Sequence, residues 1–201
     1  HATGCADAIK KIWDKVAGEH KELVLLYKGG NDEAIALCKD PNISLVSATG
    51  STQMGKELAP LVSARLGRTL LELGGNNAAI ICPTADLDLT VKGVTFSAAG
   101  TTGQRCTTLR RVFVHENIYK EFMEKLHAYY STLKVGDPSD TSSQIGPLIS
   151  ERSFEDMQNV LMSLKNKDVK IYGGQRLEVG DPSEFYVMPA IVEVTQVEDE
   201  M

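Results

Sequence analysis

The chain has 201 residues, of which 42% are apolar and 24% charged, and its net charge is −6, a composition ordinary for a soluble globular chain with a sizeable core. No apolar run approaches the roughly 20 residues a membrane helix requires, and an acidic balance without a dense Lys/Arg cluster argues against nucleic acid as a partner. Cys5, Cys38, Cys82 and Cys106 lack both the paired spacing of zinc sites and the density of a disulfide scaffold. His1, His20, His115 and His127 form no ligand cluster, so the expectation is no metal and a reducing, cytoplasmic setting without a secretory signal.

In chain order, Ile9, Ile12, Trp13 and Val16 recur at helical spacing and predict an amphipathic helix from about Ala6 to Glu19. Leu23–Tyr27 reads as a buried strand, Asp32–Lys39 as a short helix and Ile43–Ser47 as a second strand, the order of a parallel βαβ unit. Gly50-Ser51-Thr52-Gln53-Met54-Gly55 opens a helix with Met54, Leu58, Leu61, Val62 and Arg65 on one side, ending at Gly67. Arg68–Leu73 is the next strand, broken by Gly74-Gly75. Ala78–Cys82 is another, followed by a helix capped by Asp86 that buries Leu87, Val91, Val94 and Ala98. A strand over Leu109–Val114 leads to Asn117 as the cap of a helix bearing Tyr119, Phe122, Met123, Leu126, Tyr130 and Leu133. Lys134–Ile149 reads as loop, with Gly-Asp-Pro and Gly-Pro turns. A helix over Ser150–Leu164, a strand over Val169–Tyr172, a Gly173-Gly174 turn and extended residues from Tyr186 to Val194 complete an α/β chain.

Two stretches carry chemistry. Gly50 and Ser51 stand between a strand and a helix, where free N–H groups and the helix dipole favour an anion; the local pattern by itself favours a plain strand–turn–helix connection with a Ser/Thr cap. Glu72, ahead of two glycines that let the backbone approach a ligand closely, can act as a general base. Cys106 follows Ala99-Gly100-Thr101-Thr102-Gly103, small residues that leave room for a substrate or simply make a tight turn. A cysteine attacks as thiolate, so a base or positive dipoles nearby turn an inert thiol into a nucleophile. Arg105 beside it lowers the thiol pKa or turns outward into solvent.

Glu72-Leu73-Gly74-Gly75-Asn76 followed by Gly103-Gln104-Arg105-Cys106 resembles the two signature segments of the aldehyde dehydrogenase superfamily, in order and at that family's separation. The wording Gly67-Arg68-Thr69-Leu70-Leu71-Glu72 and Cys106-Thr107-Thr108 is similar to its antiquitin-like branch, whose members oxidise α-aminoadipic semialdehyde. The resemblance implies a variant Rossmann sheet, its latter half in residues 1–73, running into an α/β catalytic domain over residues 74–201. It implies Cys106 as nucleophile, Glu72 as base, and Gly50, Ser51, Leu73 and Gly74 as contacts for NAD, with Arg105 binding substrate. It further implies a small aldehyde as substrate and a homo-oligomer, dimer or tetramer. The segments for an oxyanion-binding Asn and for the adenosine and nicotinamide riboses are absent, so the chain reads as a central piece of a longer polypeptide. The rival readings are a cysteine hydrolase built on the same Cys and Glu, against which the Gly50 segment argues, and a catalytically incomplete piece with an oligomerisation role.

Overall fold

The computed structural model describes residues 2–165, 167–181 and 183–194, and the chain divides into two compact units, His1–Leu73 and Gly74–Met201. His1 lies outside the described residues.

The first unit contains α1 (Thr3–Val16), a 3-10 helix (Gly18–Leu23), α2 (Asn31–Lys39), β1 (Leu45–Gly50), α3 (Thr52–Ser63) and β2 (Arg68–Leu73). Its parallel pair is β1 with β2, joined over α3, and its small core is Cys38, Leu58 and Val62. One expectation fails here. Leu23–Tyr27 forms no strand: the chain leaves the 3-10 helix extended, with Leu25 and Tyr27 exposed. An extended run without a ladder partner cannot satisfy its N–H and C=O groups as a sheet does, so the crossover is β1–α3–β2 rather than one strand earlier. Helix α1 forms, but its apolar stripe is uncovered, Ile12 being 63% and Val16 72% exposed. Periodicity specifies a face and leaves open what covers it.

The second unit contains β3 (Asn77–Ile81), α4 (Leu87–Ala99), β4 (Leu109–Val114), α5 (Glu116–Tyr130), α6 (Glu151–Leu164), β5 (Val169–Tyr172), β6 (Arg176–Leu177), β7 (Tyr186–Val187) and β8 (Ile191–Val194). Strands β3 and β4 pair in parallel across α4, while β5 with β8 and β6 with β7 are antiparallel. Ile81, Val91, Val94, Phe122, Leu126 and Tyr130 form its core, drawing on the faces read from the sequence. Asp86 caps α4, its carboxylate accepting from Leu89 N–H at 3.1 Å. For α5 the cap is His115, whose Nδ1 accepts from Asn117 N–H; Asn117 lies inside the helix, a shift of the kind helix ends commonly show. Near the β5/β8 pair, Glu193 accepts from Tyr119 and Lys170, which holds its carboxyl below the usual range, while burial and that carboxylate push the Tyr119 phenol up to about 12.

Candidate active site

The parallel register sets Gly50 opposite Leu73 and Thr49 opposite Glu72. Gly50, Ser51, Glu72 and Leu73 therefore share the C-terminal edge of the β1/β2 pair, the edge at which open parallel sheets take their ligands. Because side chains alternate along a strand, Leu73 turns to α3 and Glu72 to the opposite, exposed face. Leu73 lies so close on α3 that a Cβ at Gly55 would stand 2.5 Å from Leu73 Cδ1. Gly74, the first residue of the second unit, is open: a Cβ there meets nothing within 4 Å.

Ser51 is the cap of α3, its Oγ accepting from Met54 N–H at 3.1 Å. Its hydroxyl proton and the N–H groups of Thr52 and Gln53, which have no intrahelical acceptor, remain for an anion. These residues fit the pyrophosphate of a dinucleotide. Gly50 has a further reason to be glycine, because a Cβ would stand 2.7 Å from the Met54 sulfur. The side-chain tip that fills this space is flexible and only partly buried.

In the second unit, α4 ends in an unusual turn. Thr101, Thr102 and Gly103 all have positive φ, at 54°, 56° and 67°, a conformation that costs a β-branched residue roughly 1–2 kcal/mol. Gly103 is held there, since a Cβ would come 3.2 Å from Ala98 O. Side chains tie the turn down. Thr102 Oγ1 donates to Gly146 O at 3.0 Å, and the Gln104 amide bridges to the same segment, donating to Pro147 O at 3.3 Å and accepting from Ile149 N–H at 2.9 Å.

Cys106 follows, a free and exposed cysteine. Arg105 N–H donates to Thr108 Oγ1 at 3.0 Å, Thr108 N–H donates to Arg105 O at 3.1 Å, and Asn77 Nδ2 donates to the carbonyls of Cys106 and Thr108 at 2.8 and 2.9 Å. Among the described residues the N–H of Cys106 has no acceptor. A thiol and an adjacent unpaired N–H are the pair that addition to a carbonyl uses, the sulfur for carbon and the N–H for the developing oxyanion.

Arg105 neither extends into solvent nor stands clear as a fork. Its guanidinium carbon lies 4.8 Å from the centre of the Phe96 ring on α4, an Nη donates to Phe96 O at 3.5 Å, and Nε is buried without an acceptor. Cys106 and Arg105 thus sit together on one turn, whereas Gly50, Ser51, Glu72 and Leu73 belong to the other unit. Asn77, Thr102, Gln104 and Thr108 were assigned no role from sequence. Asn77 and Gln104 lie in or beside the two signature segments, but nothing in their residue types says which carbonyls they reach. Among the described residues no group of three or more His, Cys, Asp or Glu is placed to hold a metal, and no helix is long and apolar enough to cross a membrane.

The profile of the aldehyde dehydrogenase family matches residues 2–201. The chain is 42% identical to an alpha-aminoadipic semialdehyde dehydrogenase of Bos taurus over 189 residues, covering 92% of this chain and 34% of that protein. Among solved structures, succinate-semialdehyde dehydrogenase of Burkholderia pseudomallei superposes with a TM-score of 0.79 at 32% identity, covering 87% of this chain and 36% of the other. A 3,6-anhydro-L-galactose dehydrogenase in complex with NAP superposes at 0.78 with 28% identity, covering 83% and 35%. The chain thus spans about a third of the length of the relatives it matches. With a family profile matched along nearly its whole length and a fold shared with solved dehydrogenases, the chain belongs to the aldehyde dehydrogenase family.

Proposed function

We propose that this chain supplies the nucleophile, the base and part of the cofactor site of a cytoplasmic, NAD-dependent aldehyde dehydrogenase of its relatives' length, and that its substrate is α-aminoadipic semialdehyde. The observation that carries the reading is Cys106: an exposed thiol on a tied-down turn, next to its own unpaired N–H. The thiolate of Cys106 adds to the aldehyde carbon, and its N–H stabilises the oxyanion of the thiohemiacetal. Bound nicotinamide supplies the acceptor for the hydride that leaves this carbon. Glu72 then takes a proton from water, whose oxygen attacks the resulting thioester, and the C–S bond breaks to release carboxylate and regenerate the thiol.

Gly50, Ser51 and the first turn of α3 hold the pyrophosphate, with Leu73 and Gly74 lining the cofactor. NAD is the cofactor the resemblance implies; because one fold neighbour is in complex with NAP, both NAD and NADP belong in the titration. Arg105 takes the substrate's carboxylate. Its buried Nε is out of a substrate's reach, but the long 3.5 Å bond of one Nη to Phe96 O leaves the terminal nitrogens with donors to spare. The resemblance also carries a homodimer or homotetramer, which light scattering on the purified enzyme reads directly.

The test is aldehyde-dependent formation of NADH by the full-length enzyme, which a cysteine hydrolase or an inert oligomerisation piece would not give. Arg105→Ala should raise KM for the semialdehyde by roughly tenfold, on the order of one charged hydrogen bond, and leave hexanal nearly unchanged. Equal losses on both aldehydes would remove Arg105 from substrate recognition.

A further inference from the structure

Asn77 lies where β3 and β4 change register. It pairs with Leu109, yet Ala78 pairs with Arg111, so Arg110 is the extra residue of a bulge, a device that re-aims side chains. The Asn77 amide has two N–H bonds, and both go to the cysteine turn, one to Cys106 O and one to Thr108 O. The residues before it are fixed in turn: Arg110 Nε donates to Gly75 O at 3.2 Å, and Arg111 donates to Asn76 O through Nε at 3.2 Å and an Nη at 2.7 Å. Between Arg105 and Thr108, the N–H groups without an acceptor among the described residues are those of Cys106 and Thr107.

We propose that Asn77 is a positioning residue for the thiol of Cys106. Holding the Cys106 carbonyl fixes the Cys106–Thr107 peptide on one side of the Cys106 Cα, while Thr108 N–H on Arg105 O fixes the Arg105–Cys106 peptide, which carries the Cys106 N–H, on the other; with both planes held, the thiol faces an incoming carbonyl in one direction. The amide touches no reacting atom; it acts through Cys106. The proposal rests on the nucleophile reading given above and adds a residue for which that chemistry has no direct use. A thiol out of alignment by about 1 Å lowers the rate by roughly a hundredfold without altering its intrinsic reactivity.

The experiment compares Asn77→Ala and Asn77→Asp in the full-length enzyme. The aspartate keeps the shape but offers acceptors to two carbonyls that need donors. Both variants should lose roughly tenfold to a hundredfold in kcat. KM for the aldehyde, dinucleotide Kd and the rate of iodoacetamide alkylation at Cys106, which needs a thiol but no alignment, should stay within about threefold by the same argument. Near-normal kcat in either variant overturns the proposal. So do parallel losses of kcat, cofactor affinity and alkylation in both variants, because they mark lost fold rather than lost alignment. Cys106→Ala is measured alongside: turnover in that variant removes the nucleophile reading itself, whatever the Asn77 variants do.

Discussion

The crossovers β1–α3–β2 and β3–α4–β4 share one plan, a parallel pair joined over a helix, and differ in where the chain departs from it. In the first the helix entry is the single residue Ser51 and the exit is a short turn with one left-handed residue, Leu66. In the second the departure is at the helix exit, where residues 100–108 pass through three left-handed positions and a hydrogen-bonded turn before β4 begins. The supports differ as well: Cys38, Leu58 and Val62 under the first, six large side chains including Phe122 and Tyr130 under the second. Strained residues persist only where the surroundings over-determine them, and the turn that carries Cys106 is built on the larger core. A helix entry offers an anion free N–H groups, whereas a pinned helix exit can present one side chain in a fixed direction. The proposed division is between the pyrophosphate on the first crossover and the nucleophile on the second, with the base Glu72 on β2 of the first.

The sharpest way to break this division is Cys106→Ala in the full-length enzyme. Aldehyde oxidation should disappear, while NAD affinity, followed by titration of the dinucleotide, stays within about twofold because uniform binding is untouched. A parallel loss of affinity would mean that the two sites are not separable.

Smaller effects belong to the first crossover. Gly50→Val should weaken cofactor binding roughly tenfold, the order a misplaced methylene commands, with no change in alkylation at Cys106. The Met54 tip beside Gly50 makes a second variant informative. If Gly50 is needed only to seat Met54, then Gly50→Val combined with Met54→Ala restores affinity; if the dinucleotide needs the space, the double variant stays weak. Ser51→Ala removes a cap and should cost about 1 kcal/mol of stability, read by chemical denaturation, together with part of the affinity.

Much of this was legible in the sequence because local rules and tertiary packing agree there. Arg68–Leu73 is a strand over the residues expected, and Asp86 and Ser51 cap the helices that follow them. Leu23–Tyr27 and the stripe of α1 show the opposite case. Apolar residues mark what would be buried, but only a neighbouring strand or helix decides whether it is, and in this chain those residues are exposed. In the cysteine turn, residue types announced a nucleophile beside small residues. They did not disclose that Thr101 and Thr102 take left-handed backbones, that Arg105 lies on Phe96, or that Asn77 reaches across a bulge. These depend on register and on contacts between residues as much as 45 positions apart, where no periodicity operates.

The mechanism in which Cys106 forms a thioester and Glu72 activates the water that releases it is read out by rapid mixing of full-length Glu72→Gln with excess semialdehyde and NAD. It predicts a burst of about one NADH per Cys106, since acylation needs no water, followed by a steady rate lower by roughly 100-fold or more, the share of a general base. A steady rate equal to that of the unmodified enzyme, or slow formation of NADH without a burst, would contradict it.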